Sequence, residues 1–497
     1  MNLEDITSFR EGQPVNVTTA TFTELTSLPW SLALDSYQRP YVWGTERMQQ
    51  LLADLTDWLS RQESSSPEQH YYMGALLHWN KEKETLFVID GQQRLTSLAL
   101  LYHALKNQQP SKLDFNYRST HSVKHIHEAK QALEQANTWL QLLSNVQNLF
   151  ERLQFSLIVV EREDLAFTFF DTQNNRGVPL QAGDLLKAFH LRTMAGHDAL
   201  QAECAQHWEQ GKPAFIRELF EQYLWRARQW RGRQENSASH EGLLSCFQQH
   251  SIKPDDITTV PLYPNQHNQR ASALTVGPDN RYQLALHPLT LSEVSTALPF
   301  ALRQPVWQGL GFFLYSNRYA SLVRQLFPAN ADEFSDEPEA QALQRFYRSV
   351  ICSLSGYLQS LFRLAVLMYV DRLGSDQLYA FGCRFGLRLG MLRLCLGSIR
   401  YETPAKYLRE QSIQLLDLLA GAWRPEEVLD CLQQETNLNL KKTKEALRQD
   451  DVWKGTRGAY ITALKQYLDS EPKGSLETTI IKQLKTETGY LVREQTQ

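Results

Sequence analysis

The sequence predicts an α+β protein in which a mixed α/β front half is followed by a mainly α-helical back half. Two observations predict this fold class. Over residues 1–195, short apolar runs of strand length alternate with amphipathic helical segments, whereas beyond residue 298 nearly all apolar patterns recur at helical spacing. Residues 253–295 carry five prolines, which interrupt regular structure. We therefore divide the chain into a first domain at 1–195, a helical and irregular Pro-containing connecting region at 196–297, and an α-helical domain at 298–497.

The elements of the front half follow from local patterns. Glu46–Leu59 and Leu95–Leu105 each place their apolar residues on one helical face. The polar stretch 119–150 and the segment from about residue 181 are also predicted to be helical. Four apolar runs stand out: Ser31–Asp35, which ends at a turn, and Gly74–Trp79, Thr85–Ile89 and Phe155–Val160, which are predicted to be strands. Because a short polar segment joins the second and third of these runs, they should form a hairpin.

The back half is predicted to be helical almost throughout. Its helical patterns cover the following ranges: Ala340–Val370, Leu378–Leu396, Ala405–Leu419, Glu426–Gln434 and Thr456–Tyr467.

Composition and charge exclude several classes of protein. Of the 497 residues, 42% are hydrophobic, which is enough for a folded core and excludes a disordered chain. The formal charge is −4, so any contact with nucleic acid must come from a local basic patch. The six scattered cysteines form no CxxC pair, which argues against a zinc ribbon or a disulfide scaffold. Without a leader-like N-terminus, and with Arg363 interrupting the longest apolar stretch, we expect a cytoplasmic protein with no membrane partner.

Three polar motifs lie beside predicted strand or helix ends of the front half. The first is Tyr37–Trp43 (YQRPYVW) and the second is Asp90–Arg94 (DGQQR). The third is Phe170–Leu180 (FDTQNNRGVPL), which is followed by Asp184–Lys187 (DLLK). Each motif alone could be structural, as an amphipathic turn, a helix cap or a surface loop. Three such motifs within one α/β unit favour a shared site.

The second motif has the composition of an anion site. A strand is predicted to end at Ile89, Asp90 and Gly91 make a turn, and a helix begins near Gln92. The free N–H groups and the positive dipole end of that helix would then face an anion. Arg94 adds a planar guanidinium that suits phosphate oxygens, while Asp90 would be a metal ligand or a general base.

In this order and at these spacings, the motifs resemble the N-terminal domain of the GmrS type, found in GmrSD-like type IV restriction systems. The resemblance covers about residues 20–195, and DGQQR followed by LTSL is its most specific part. It departs from the family pattern at Asp35, where proline is frequent, and at Gln173, where Leu or Ile is usual. The resemblance implies a ParB/sulfiredoxin-like fold that binds and hydrolyses a nucleotide, coupled to restriction of phage DNA with modified cytosines.

The resemblance also implies a set of site residues. The catalytic group would be Asp90, Gln92, Gln93 and Arg94, with Asp90 holding Mg²⁺ or Mn²⁺. The nucleotide, an NTP such as GTP or UTP, would be bound by Gln38, Arg39, Tyr41, Trp43, Gly91, Asn174, Arg176, Gly177, Asp184 and Lys187.

The positions of the histidines argue against an HNH-type nuclease in the helical back half. An HNH-type nuclease needs a histidine as general base, yet none of the 13 histidines lies beyond His287. We therefore expect a separate HNH-type nuclease subunit as the partner. Two other functions stay open: a non-enzymatic ParB-like DNA-binding or scaffold protein, and a metal-dependent DNA nickase that uses Asp90. The sequence does not fix the oligomeric state, and a homo-oligomer is compatible with it.

Three weaker candidate sites lie outside the motifs. Arg226, Arg228, Arg231 and Arg233 are interleaved with two tryptophans and could bind DNA, or form a solvated helix end. The arginines of the apolar segment Leu378–Leu396 favour an ion-pair network over a DNA-facing or intersubunit surface. The histidines at 121, 125 and 127 favour a solvated polar helix over a metal site.

Overall fold

The computed structural model describes residues 3–34, 38, 40–61, 70–80, 84–117, 119–146, 148–162, 165–166, 181–234, 237–257, 260, 273–276, 282–285, 300–432 and 454–470. The chain divides into two compact units, Met1–Lys212 and Pro213–Gln497. As the sequence predicted, the first unit is mixed α/β and the second is mostly helical.

The first unit is built on a seven-stranded mixed sheet. Its strands are β1 (Val15–Thr21), β2 (Ser31–Leu34), β3 (Tyr71–Tyr72), β4 (Ala75–Asn80), β5 (Thr85–Asp90), β6 (Leu113–Asp114) and β7 (Leu153–Val160). The order is β1-β7-β4-β5-β2-β6, and β3 pairs with β7 as well. The predicted hairpin is confirmed, because β4 and β5 pair antiparallel. On its other side β5 pairs parallel with β2, so the two strands end near each other.

Seven helices of the first unit have defined bounds in the described residues. They are α1 (Phe22–Thr26), α2 (Thr45–Ser60), α3 (Gln92–Lys106), α4 (Thr120–Gln135), α5 (Asn137–Ser144), α6 (Ala182–Arg192) and α7 (Asp198–Glu209). The predicted face of α2 is buried in the core of this unit, with Met48, Leu52 and Leu55 fully covered. In contrast, α3 buries polar side chains in its first two turns, among them Gln92 and Gln93.

In its described residues, the second unit is mostly helical and has one hairpin in the Pro-containing region. Its helices are α8 (Pro213–Glu218), α9 (Trp225–Gln229), α10 (His240–Leu244), α11 (Leu310–Leu326), α12 (Pro338–Ser349), α13 (Gly356–Leu373), α14 (Leu378–Cys395), α15 (Thr403–Glu410), α16 (Leu415–Gly421) and α17 (Gly455–Ser470). π-Helical turns follow α8 and α10, at Leu219–Leu224 and Ser245–Gln249. The hairpin pairs β8 (Ala273–Val276) with β9 (Tyr282–Ala285). Residues 425–432 are helical too.

Two long helical patterns of the back half are each divided into two helices. The predicted helix over 340–370 is broken by a 3₁₀ turn at Ile351–Ser353, after which Leu354 and Ser355 are extended. The pattern over 405–419 is likewise broken, between α15 and α16. In the first case apolar spacing continues across the break, so periodicity alone could not locate it.

Three glycines on one face of α14 let its neighbours pack at very short range. A Cβ added at Gly382 would lie 2.2 Å from Leu343 Cδ1 of α12, and one at Gly386 would lie 2.6 Å from Phe346 Cε1. At Gly390, an added Cβ would lie 1.9 Å from the hydroxyl of Tyr460 in α17. No side chain fits at these positions, so α14 is the centre against which α12 and α17 pack.

None of the helices in the described ranges combines the length and the apolar composition needed to cross a lipid bilayer.

The close approach at Gly390 predicts the effect of one added methyl group on stability. We expect Gly390→Ala to lower the free energy of unfolding by about 1–3 kcal/mol, because the ring of Tyr460 must shift. Gly356→Ala is the matched control: Gly356 has nothing within 4 Å of its added Cβ, and its effect should stay within about 0.5 kcal/mol. Urea unfolding measures both. Equal stabilities for the two variants would contradict the close crossing of α14 and α17.

Candidate functional site

The second motif forms the predicted strand–turn–helix junction. Strand β5 ends at Asp90, and Gly91 adopts a left-handed conformation with φ of 84° before α3 begins at Gln92. Glycine enters this conformation without a Cβ penalty, so the chain can turn sharply from the strand into the helix. Asp90 is half-buried and Arg94 is exposed. The first turn of a 15-residue helix therefore opens directly beyond the strand, where its dipole favours an anion.

The side chain of Gln38 holds the first motif against the end of β5. Its Nε2 donates to the carbonyl oxygens of Val88 and Ile89, at 2.9 and 2.8 Å. The backbone carbonyl of Gln38 accepts from the Lys187 ammonium of α6 at 2.9 Å, and that ammonium also pairs with Glu209 Oε1 at 2.6 Å. Because Lys187 is almost fully buried, this pair anchors both α6 and α7 to the first motif.

The side chain of Gln93 connects the first motif to the second. Its Oε1 accepts from the backbone N–H of Val42 at 2.9 Å, and its Nε2 donates to the carbonyl of Pro40 at 3.0 Å. One helical turn further, the hydroxyls of Tyr41 and Ser97 lie 2.8 Å apart. The two motifs are therefore adjacent, although about fifty residues separate them in the chain.

Gln92 belongs to a second buried network. Its Nε2 donates to the hydroxyl of Tyr117 at 3.3 Å, and that hydroxyl lies 2.5 Å from Thr96 Oγ1. Burial raises the pKa of Tyr117 to about 12, with the hydrogen bonds from Thr96 and Gln92 acting in the opposite direction. The phenol thus stays protonated at neutral pH. Sequence reasoning missed Tyr117, which lies in an irregular segment without any motif.

A cleft of about 330 Å³ opens beside the two motifs. Trp43 of the first motif and Arg94 of the second both line it, together with Arg47 of α2 and the β3 tyrosines Tyr71 and Tyr72. Two guanidinium groups and three aromatic rings therefore face one space. This combination suits a ligand with negative charge at one end and a planar ring at the other.

The guanidinium of Arg94 is oriented by a kink in the neighbouring strand. Between β3 and β4 the chain turns at Gly74, whose φ is 67°. Just before that turn the carbonyl of Met73 accepts from Arg94 Nη1 at 2.5 Å. Arg94 also acts on Tyr71: burial and the Asp54 carboxylate raise the pKa of this phenol, and the Arg94 charge partly offsets the rise. One carbonyl thus directs Arg94 along the cleft wall and leaves most of its N–H donors for a ligand.

Two families match different parts of the chain. Residues 22–191 match the family described as GmrSD restriction endonuclease, N-terminal domain. The first unit carries a GmrSD-type N-terminal domain. This match confirms the resemblance that the three motifs indicated, and it supports a component of a type IV restriction system with a role in anti-phage defence. Residues 200–447 match a family of unknown function, DUF7834. No curated protein matches the chain.

Part of the predicted site of the GmrSD-type domain lies outside the described residues. These positions are Arg39, Asn174, Arg176 and Gly177, so the meeting of all three motifs in one pocket stays a prediction. Asp184 is half-buried in the first turn of α6. Gln38, Tyr41, Gln93 and Lys187 are buried. Gln93 and Lys187 bond to the first motif, whereas Gln38 bonds to β5 and Tyr41 to Ser97 of α3. In the structure these side chains position the site, whereas Trp43 and Arg94 face the cleft.

The cleft also contains residues that the sequence did not single out. Arg47, Gln50 and Asp54 follow one another at spacings of three and four along α2, and the buried Leu51 beside them lines the cleft too. Gln50 Nε2 donates to Asp54 Oδ1 at 2.7 Å. Their spacing of three and four residues could have predicted, from the sequence alone, that they share one face of a helix. Only the sheet topology, however, shows that this face lies beside the second motif.

The structure corrects half of the predicted DNA-binding set in the second unit. Arg226 is buried, with its guanidinium 4.6 Å from the ring centre of Trp230, and burial lowers its pKa. Arg228 donates to the carbonyls of Leu302 and Gln304 at 2.9 and 2.6 Å. Both side chains stabilise the interior of the second unit and do not present their charge to a DNA backbone. The sequence does not reveal these partners, which are the carbonyls of a distant segment for Arg228 and the ring of Trp230 for Arg226.

The other two arginines of that set, Arg231 and Arg233, are exposed, so DNA binding by them stays a prediction. The sequence predicted an ion-pair network for the arginines of α14, but two of them bond to neutral acceptors. Arg384 donates to the carbonyl of Leu429, and Arg388 donates to the side-chain amide oxygen of Gln411. Within the described part of the chain, no three His, Cys, Asp or Glu side chains are grouped closely enough to hold a metal ion.

The buried Lys187–Glu209 pair predicts a large stability effect. We expect Lys187→Met to lower the free energy of unfolding by about 3–5 kcal/mol, because Glu209 would remain buried without its partner. The double variant Lys187→Met/Glu209→Gln should lose less than the sum of the two single variants. Lys124→Met is the control: it removes an exposed pair with Glu128 at 3.6 Å and should change stability by less than about 1 kcal/mol. Urea unfolding that ranks Lys187→Met with this control would refute the anchoring role.

Proposed function

We propose that this chain is the nucleotide-binding and nucleotide-hydrolysing subunit of a type IV restriction system that acts in the cytoplasm on DNA with modified cytosines. A separate HNH-type nuclease subunit would cut the DNA. The observation that carries the proposal is the cleft in which Trp43 and Arg94 meet, beside the first turn of α3.

The cleft walls fit both halves of a nucleotide. Arg47 and Arg94 supply two positive groups, and guanidinium binds phosphate oxygens in a bidentate manner. Trp43 and Tyr72 supply ring faces; Tyr72 keeps 64% of its surface exposed, so a base can stack on it. Arg94 itself lies in the first turn of α3, where the positive end of the helix dipole favours a phosphate group. An NTP such as GTP or UTP is therefore the ligand class that we propose.

The carboxylate of Asp90 suits a divalent cation that binds together with a nucleotide. Mg²⁺ commonly takes one or two carboxylates, waters and substrate phosphates in place of a cage made by the protein alone. A single half-buried carboxylate at the end of β5 meets that requirement. Mg²⁺ or Mn²⁺ held there would neutralise charge on the phosphates.

The protein's own residues would perform the remaining steps. Arg94 would neutralise charge that builds up on the transferred phosphoryl group. Gln92 stays a predicted catalytic residue; in the structure its side chain is buried and donates to the hydroxyl of Tyr117 beside the first turn of α3. Loss of the terminal phosphate would then release the contacts of Arg94 and Arg47 to the nucleotide. That release gives a two-state signal that a nuclease partner can read.

The composition of the second unit supports the separate nuclease subunit. None of the chain's 13 histidines lies beyond His287. An HNH-type centre needs histidine both as base and as metal ligand. We therefore assign nucleotide chemistry to this chain and DNA cleavage to its partner.

Arg94→Ala should reduce NTP hydrolysis by roughly 100-fold or more, because a charge at the transferred phosphate is lost. The assay is phosphate release with Mg²⁺ and each of the four common NTPs. Arg61→Ala is the matched control, since Arg61 is an exposed arginine at the end of α2, away from the cleft; it should keep full activity.

Binding of labelled nucleotides separates loss of binding from loss of chemistry. Arg47→Ala should weaken binding more than it lowers the maximal rate. Wild-type protein that neither binds nor hydrolyses any NTP would overturn the proposal. Tight DNA binding without a nucleotide would then favour the scaffold function, and Mg²⁺-dependent nicking lost in Asp90→Asn would favour the nickase.

A further inference from the structure

Two arginines of the second unit meet where α14 and α17 cross. Gly390 and Tyr460 fix the crossing point, because no Cβ fits between them. Arg393 lies one turn after Gly390 towards the C-terminus of α14, and Arg457 lies one turn before Tyr460 towards the N-terminus of α17. Both side chains therefore emerge at the same end of the crossing.

Their contacts place the two guanidinium groups side by side. Arg393 Nη2 donates to the carbonyl of Gly397 at 3.3 Å, and Arg457 Nη2 donates to the adjacent carbonyl of Leu396 at 2.7 Å. Burial lowers the pKa of Arg393, and the neighbouring charge of Arg457 lowers it further. The two cations, bound to adjacent carbonyls, thus repel each other.

Capping of α14 accounts for only part of this arrangement. The C-terminal end of a helix carries about half a negative charge, which one arginine already balances. Helix α14 contains no acidic residue, and the only acid of α17 is Asp469 at its far end. Two exposed cations lie near these helix ends in the chain: Lys454 directly precedes α17, and Arg400 follows α14 by five residues.

Both arginines also keep unused donors. Arg393 is only 6% exposed, yet its Nε has no hydrogen-bond partner among the described residues, and the same holds for Arg457 Nε. Beside them, the 16-residue helix α17 begins at Gly455, so the positive end of its dipole lies at the same place. Among the described residues, neither guanidinium of this pair has a carboxylate partner, although they lie side by side at a helix N-terminus.

We propose that Arg393 and Arg457 form a phosphate site that binds a phosphodiester group of the DNA backbone. A guanidinium pair at a helix N-terminus matches the charge and donor geometry of phosphate. Because the exposed cations Lys454 and Arg400 are neighbours of these helix ends in the chain, a polyanion such as DNA suits this region better than a free ion. The choice of DNA rests on the restriction role proposed above, whereas the anion site rests only on the second unit.

The test is the salt dependence of DNA binding by the full chain, measured without NTP so that it is independent of the cleft. Fluorescence anisotropy with a labelled duplex is recorded between low and physiological salt. Because each neutralised phosphate contributes about one unit to the slope of log affinity against log salt, Arg457→Gln should reduce that slope by about 1 and weaken binding several-fold at low salt. Arg457→Lys should keep most of the slope, since it keeps the charge.

Controls separate DNA binding from helix capping. Arg424→Gln removes another exposed arginine of the second unit and should leave the salt slope unchanged. We choose Arg457 because it is less buried than Arg393, whose replacement endangers folding. If Arg457→Gln lowers the melting temperature but leaves DNA affinity and slope unchanged, the arginines only cap α14 and the proposal is wrong. If inorganic phosphate raises the melting temperature of the wild type but not of Arg457→Gln, while both bind DNA equally, the site takes a free anion and the DNA proposal is overturned.

Discussion

The candidate site depends on the position of one buried amide. The side chain of Gln38 donates to two successive carbonyls at the end of β5, while its own carbonyl accepts from the buried Lys187 ammonium. Strand β2 ends at Leu34, and beyond it the Gln38 side chain supplies a donor to these carbonyls. This contact fixes the first motif beside the second, and with it the position of Trp43 in the cleft.

Most polar side chains of the motifs are used to build the site, and few remain free for chemistry. Gln93 satisfies an N–H and a carbonyl of the first motif, and Gln92 is held by Tyr117. Buried polar groups must be hydrogen-bonded, and a fully satisfied network fixes one arrangement of the chain. The groups left to act on a ligand are those at the surface of the cleft, above all Arg94. A motif therefore marks a site without showing which of its members touch the ligand.

Local features of this fold could be predicted from the sequence, and features that depend on tertiary contacts could not. The β4–β5 hairpin and the turn at Gly91 follow from strand spacing and from glycine. The cleft residues of α2 and β3 were missed because only the sheet order brings them to Arg94. Arg228 was misassigned for a related reason: its sequence context shows a basic cluster, but the carbonyl acceptors come from a segment more than seventy residues away.

Charge balance explains which partners the arginines of the second unit take. Arg228 and Arg384 each find backbone carbonyls, and Arg303 pairs with Asp417 at 2.6 Å. A single guanidinium facing carbonyls is well accommodated, because these dipoles offset its charge without a counterion. Two guanidiniums on adjacent carbonyls of one helix end exceed what that dipole can offset. The whole chain carries a net charge of only −4, so it is not basic overall. A local excess of positive charge therefore favours the binding of an external anion at this place.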